Sequence, residues 1–196
     1  ADGVWEVAFS ADGRHLATSS DDRTVKLWET HSSTCIKTLF GFESQVWSAA
    51  FSPNGELLVT GNVERIVQLW DLAAGRRLRS LRGHTHQVWC FAISPGGEII
   101  ATGSDDRLAR LWDARAGRCL RSLRGHQEWV WSIAFSPDGE FLASCSYDRS
   151  VKLWKVDTGE CLQSFLGHSD RVQALAFSPN GQILASASDD GTIKLW

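Results

Sequence analysis

No stretch of these 196 residues approaches the roughly 18 consecutive apolar positions of a membrane-spanning helix. Apolar residues nowhere recur at the three-and-four spacing of an amphipathic helix, so helical architectures are set aside, and with them any Gly-rich loop feeding a helix. The opening residues lack the pattern of a secretory leader, and none is expected. There is no CxxC pair, and no His/Cys/Asp cluster has metal-ligand spacing, so no metal and no cofactor is expected. The five cysteines are an odd number, and Cys35, Cys119 and Cys161 share one repeat phase, which separates them too far to pair. All five are read as small buried or half-buried thiols in a reducing compartment. Net charge is −3 and the pI about 6.1, so bulk charge attracts neither nucleic acid nor an acidic membrane.

What the chain does have is a period. Tryptophan returns every 42 residues at Trp28, Trp70, Trp112, Trp154 and Trp196, and the spacing never slips. Gly13, Gly55, Gly97, Gly139 and Gly181 keep the same period, as do Pro53, Pro95, Pro137 and Pro179, which are all the prolines present. Gly41, Gly83, Gly125 and Gly167 do too, the last three followed by His84, His126 and His168. Residues 113–154 and 155–196 share 20 identities in 42 without a gap, a mark of fairly recent duplication. Each unit is too short to bury a core alone, so the units must stack.

Within the unit 125–166, Val130 to Ser136 is an apolar run rich in β-formers. Ser136-Pro137-Asp138-Gly139 then makes a turn: proline presets φ, aspartate bonds the turn backbone, and glycine accepts a positive φ. Glu140 to Ser146 is a second run, Tyr147-Asp148-Arg149 a second turn and Ser150 to Trp154 a third strand. Asp157-Thr158-Gly159 turns the chain into Cys161 to Leu166, the fourth. Four short antiparallel strands per period, repeated, predict a β-propeller.

The Gly-His and Trp-Asp punctuation, the Phe-Ser-Pro-Asp-Gly turn and the Ser-x-Asp before Lys-Leu-Trp resemble the WD40 repeat over the whole chain. The Trp-Asp pair itself stands at Trp70-Asp71 and Trp112-Asp113, and drifts to Trp28-Glu29 and Trp154-Lys155. The resemblance implies an all-β propeller of four-stranded antiparallel blades. Blades fall at 1–40, 41–82, 83–124, 125–166 and 167–196, nineteen strands in all, with the last blade lacking its outer strand. The expectation is one propeller segment, cut from a longer propeller or else completed by closing on itself or on a second chain. Either open end would expose an apolar inter-blade face.

Ser/His/Asp sets invite a hydrolase reading, but they recur in every unit, whereas an active site occurs once. By resemblance, His84, Ser104, Asp106 and Trp112 form a buried hydrogen-bonded chain, as do His126, Ser146, Asp148 and Trp154, and His168, Ser188, Asp190 and Trp196. In the second unit the set fails together, as Phe42, Asn62 and Glu64, with only Trp70 kept. Joint loss is what a coupled network predicts, since an orphaned buried polar group costs about 1–3 kcal/mol. No catalytic residue is assigned.

A second tryptophan series, Trp5, Trp47, Trp89 and Trp131, continues as Gln173. The resemblance places it near the mouth of the central channel, where partners dock, although inter-blade packing would serve equally. The residue before the network aspartate varies as Asp21, Val63, Asp105, Tyr147 and Asp189, on that same face. Acids beside an aromatic rim suit a basic, arginine-bearing peptide. Trp129 breaks the period beside Trp131 and is read as specific to this chain. Arg76, Arg77, Arg79, Arg82, Arg115, Arg118, Arg121 and Arg124 make the outer strands of two blades basic, which also blunts edge pairing, and nucleic acid is not expected there. His15, His31 and His86 lie off the period and are read as loop residues. The expectation is a non-enzymatic protein–protein interaction platform, part of a larger intracellular regulatory or signalling protein. The alternative is an arc that completes itself by oligomerisation.

Overall fold

The turn that punctuates every repeat shows how sequence becomes strand pairing. Gly139 N donates to Ser136 O at 2.9 Å and takes φ +74°, a conformation side chains resist. Ser136 Oγ donates to Asp138 Oδ1 and accepts from Phe141 N at 2.9 Å, so one hydroxyl locks both ends of the hairpin. Ser10, Ser52 and Ser178 bond the side chain two residues ahead in the same way.

The computed structural model describes residues 3–62 and 65–196; Val63 and Glu64 lie outside the described residues. Among those described, nineteen strands form five antiparallel sheets with no helix. They fall in two compact units, Ala1–Gly83 and His84–Trp196. The first unit holds the sheet of β1 (Val4–Phe9), β2 (His15–Ser20), β3 (Val25–Glu29) and β4 (Thr34–Leu39). Its second sheet is β5 (Val46–Phe51), β6 (Leu57–Asn62), β7 (Val67–Asp71) and β8 (Arg76–Leu81). The second unit holds β9 (Val88–Ile93), β10 (Ile99–Ser104), β11 (Leu108–Asp113) and β12 (Cys119–Arg124). It continues with β13 (Val130–Phe135), β14 (Phe141–Ser146), β15 (Ser150–Lys155) and β16 (Cys161–Leu166). Last comes the three-stranded sheet β17 (Val172–Phe177), β18 (Leu184–Ser188) and β19 (Ile193–Leu195). Strands pair in chain order, as short turns require.

The core lies between sheets rather than within one. In the first unit Val25, Leu27 and Leu39 of one blade pack with Val46, Leu58 and Trp70 of the next. In the second, Leu111 and Leu123 meet Ile133, Leu142 and Trp154, and Val151 meets Val172 and Leu184. Each such leucine or valine contributes about 1.5–3 kcal/mol by leaving water. Polar tethers cross the same seams. Lys37 Nζ donates to Leu72 O at 2.7 Å, Arg121 Nη2 to Asp157 O at 3.0 Å, and Cys145 Sγ to Val172 O at 3.2 Å.

One expectation needs correction. Cys145 is buried and Cys90 half-buried, and burial pushes the Cys90 thiol up to about 12. Cys35, Cys119 and Cys161, however, are exposed free thiols. They sit where a β-bulge interrupts the pairing of the outermost strand, and that strand has no sheet beyond it to cover them. In the second blade the lost histidine leaves no hole: the Phe42 ring packs 4.8 Å from that of Trp70, whose Nε1–H still reaches Thr60 Oγ1 at 3.1 Å. An apolar contact thus replaces a polar chain.

Because that blade keeps fewer polar cross-links, its strands β6 and β7 should exchange amide hydrogens faster than β14 and β15. Equal protection by mass spectrometry in the two blades would show that the Phe42–Trp70 contact fully compensates.

Candidate functional site

Two repeated constellations hold the residues singled out above. The first is buried. Trp112 Nε1–H donates to Thr102 Oγ1 at 2.8 Å, Thr102 Oγ1 lies 2.7 Å from His84 Nε2, and His84 Nδ1 lies 2.8 Å from Asp106 Oδ2. With a neutral imidazole carrying its proton on Nδ1, every group donates or accepts in sequence and none is orphaned. Trp154–Ser144–His126–Asp148 and Trp196–Ser186–His168–Asp190 repeat the chain at 2.8–2.9 Å. Asp148 also accepts from Gln127 N at 2.8 Å, pinning the loop before the inner strand.

The hydroxyl in this chain is not the one expected. Ser104, Ser146 and Ser188 do not bond histidine; each accepts from the aspartate N–H two residues on and donates to a loop carbonyl at 3.0–3.2 Å. Register explains the difference. Trp112 stands opposite Ile100, so its indole reaches the diagonal neighbour Thr102, while Ser104 is one pair further and falls at the turn. The signal was present: Thr18, Thr60, Thr102, Ser144 and Ser186 keep a hydroxyl at that phase in all five units.

The network fixes the charge of its acids. Burial alone would raise the Asp106 and Asp148 carboxyls, but hydrogen bonds from His84 and His126 and from neighbouring backbone N–H groups outweigh it and hold both below the usual range. For Asp190 the Thr192 hydroxyl is the largest influence and acts in the same direction.

The second constellation is partly exposed. Trp5, Trp47, Trp89, Trp131 and Gln173 each occupy the register shift between the first inner strand and its neighbour. Each is therefore a β-bulge residue, and a bulge turns its side chain away from the regular alternation. The valine before each one stays in the pleat, buried in every blade but the first. Once turned out, the side chain meets the residue 16 positions on. Trp5 Nε1 donates to Asp21 Oδ1 at 2.6 Å, Trp89 Nε1 to Asp105 Oδ1, and Gln173 Nε2 to Asp189 Oδ2 at 2.9 Å. Burial raises the Asp105 carboxyl against the lowering effect of the Trp89 N–H.

In the fourth blade the acid is replaced by Tyr147, and the contact becomes aromatic. Trp131 stacks on Tyr147 with centroids 5.1 Å apart, Trp129 stacks on Tyr147 at 5.5 Å, and Trp89 lies 5.0 Å from Trp131 and 6.2 Å from Trp129. The result is a four-ring slab inside the second unit, with Trp129 38 % exposed. The Arg171 guanidinium lies over Tyr147, 4.5 Å from the ring centre, a contact that sequence reasoning missed because no other unit carries a cation at that phase. In the first unit Trp5 and Trp47 meet at 6.2 Å. Val63, the remaining variable position, lies outside the described residues. Among the described residues no group of three His, Cys, Asp or Glu could hold a metal ion.

Small antiparallel sheets of three or four strands in a strict 42-residue repeat, three of them carrying the same buried Trp–hydroxyl–His–Asp chain, define a β-propeller repeat. The chain belongs to the WD40 family: the model of the WD domain, G-beta repeat, matches residues 1–29, 33–71, 75–113, 117–155 and 159–196. Each match after the first pairs the outer strand of one sheet with three strands of the next, so the repeat in sequence is offset by one strand from the blade in space. Such repeats are in general non-catalytic interaction scaffolds. The chain is also similar to the vegetative incompatibility protein HET-E-1 of Podospora anserina, 58 % identical over 31 residues. That stretch is 16 % of this chain and 2 % of the relative.

The acid groups give a pH test. Carboxyls held below about 3.8 in the folded chain contribute stability at every pH above that value and lose it as the pH falls through the folded range. Thermal melting should therefore be flat above about pH 5 and drop steeply below about pH 4. Asp148→Asn should cost about 1–3 kcal/mol on the plateau and make the acid limb shallower.

Proposed function

We propose that this chain is a non-enzymatic docking platform for a protein segment, and that the four-ring slab of the second unit is its contact surface. The observation that carries this reading is the bulge. It turns Trp89 and Trp131 out of the pleat, where Trp129 and Tyr147 extend them into one partly exposed aromatic surface. Large rigid rings with a polar edge are the side chains that dominate binding energy at interfaces. Asp105 and Asp189 flank the slab, with Asp21 in the matching position of the first unit, which favours a basic partner. The periodic Ser/His/Asp sets are consumed in structural chains, so we assign them no catalysis. The five free thiols suit a reducing cytoplasm, and the length of HET-E-1 suits a parent that is a larger regulatory or signalling protein. Neither a membrane nor a nucleic acid is part of this reading.

A second reading rests on two exposed faces. Ile193 is 73 % exposed and Leu195 67 %, while Val151 and Leu111 at the matching phases are at most 1 % exposed. Val4 is 58 % exposed and Phe9 65 %, while Val46 and Val130 are fully buried. Everywhere else in its unit each such face is covered by a neighbouring sheet, so a blade of a second copy fits here.

Peptides selected from a random library against residues 1–196 should lose more than about tenfold in affinity to Trp129→Ala and Trp131→Ala, with melting unchanged. Selected peptides that bind both variants like the parent would refute the slab as the platform. Light scattering tests the second reading: self-association predicts a mass above that of one chain, reduced by Ile193→Asp and Leu195→Asp. A monomer at all concentrations rejects it.

A further inference from the structure

The seams of the second unit carry two seats related by the repeat, and comparing them shows what one of them lacks. Forty-two residues separate Asp105 from Tyr147, and forty-two separate Trp129 from Arg171. At the seam between the fourth and fifth blades, the first phase supplies a ring and the second a cation: Arg171 lies over Tyr147. At the seam between the third and fourth blades the chemistry is inverted. The first phase supplies the Asp105 carboxylate and the second the Trp129 ring.

This second seat is a cleft of about 400 Å³ lined by Thr85, His86, Asp105, Asp106, Arg107 and Trp129. Its carboxylates differ in what they have left to offer. Asp106 is committed to His84 at 2.8 Å and to the backbone N–H groups of Thr85 and Leu108, each at 3.1 Å. Asp105 lines the cleft and accepts from the Trp89 indole at one oxygen, Oδ1; among the described residues no side chain donates to the other. Among the described residues, the cation–π contacts given by Lys155 and Arg171 fall on Phe141 and Tyr147, and neither falls on Trp129. Two carboxylates stand against the single guanidinium of Arg107 in the cleft lining. A partly buried carboxylate beside an indole face gains most from a flat cation. Guanidinium stacks on the ring and donates in-plane to the carboxylate at once, which an ammonium cannot do.

We infer that this cleft is a seat for the side chain of an arginine in the partner segment, stacked on Trp129 and hydrogen-bonded to Asp105. The inference rests on the docking-platform reading and specifies its ligand. The neighbouring Arg171–Tyr147 contact is the same interaction made within the chain, so only one of the two seams is open to a partner's arginine.

The test uses residues 1–196 with N-acetyl-arginine methylamide as probe, and the lysine and citrulline analogues as comparisons. Binding is followed by the indole N–H resonances, with Trp129 assigned through Trp129→Phe. The expected result is saturable binding of the arginine probe that shifts the Trp129 signal and is at least about tenfold tighter than that of citrulline. Lysine should bind more weakly than arginine. Asp105→Asn should lose about tenfold in affinity, and Asp21→Asn, in the other unit, should lose none. Equal binding of citrulline, or no saturable shift of Trp129, overturns the seat. The arginine–citrulline comparison uses the unaltered protein, so misfolding of a variant cannot blur it. If library-selected peptides need Trp131 but carry no arginine, the platform stands and the seat alone falls.

Discussion

A sheet of four short strands has two faces and too few residues to bury either, so every blade of this chain depends on a neighbour to keep its apolar face from water. The dependence is visible position by position. Val25, Ala109 and Val151 occupy one phase of the repeat and are fully buried, whereas Ile193, at the same phase without a covering sheet, is not. The same side chain type thus contributes its hydrophobic free energy or forfeits it according to what stands beside it. Tethers such as Lys37 to the Leu72 carbonyl and Cys145 to the Val172 carbonyl fix the spacing of faces that hydrophobic contact alone would leave free to slide.

Stacking makes the sheets stable but does not specify their loops. That is the work of the Trp–hydroxyl–His–Asp chain, which runs from the third strand through the second to the loop that begins the blade. It is a closed system: the indole donates, the hydroxyl and the imidazole each accept and donate, and the aspartate only accepts, held ionised by partners that outweigh its burial. In the second blade the Phe42 ring takes the place of the histidine against Trp70 while the Trp70–Thr60 hydrogen bond is kept, so an apolar ring removes the need for a further polar partner.

With loops fixed in this way, small changes at their tips can be read by a partner. The bulge at the start of each inner strand presents one side chain, and the residue 16 positions later decides its use. An acid there draws the indole into a hydrogen bond, as at Asp21 and Asp105, while Tyr147 turns the same geometry into a stack that gathers Trp129 and Arg171. A single exchange within a repeated frame therefore produces a surface that occurs once, which is what distinguishes recognition from scaffold in a protein made of near-copies.

Much of this was legible in the residues. The unbroken 42-residue tryptophan period, the serine-locked Pro-Asp-Gly turn and the alternation of short runs determine strands, blades and their order, because these are local consequences of turn chemistry and periodicity. The set of histidine, aspartate and tryptophan was also readable, because each recurs at a fixed phase. What the sequence did not reveal depends on alignment between strands. The hydroxyl of the network is Thr102 rather than Ser104 because antiparallel register, not spacing along one strand, decides which side chain an indole can reach. The projection of Trp89 and Trp131 depends on a bulge that no single-strand pattern records. The stack of Arg171 on Tyr147 joins loop residues of two different blades. Periodicity is a property of the chain and sequence alone determined it; register and inter-sheet contact arise only when strands lie side by side, so tertiary structure had to decide them.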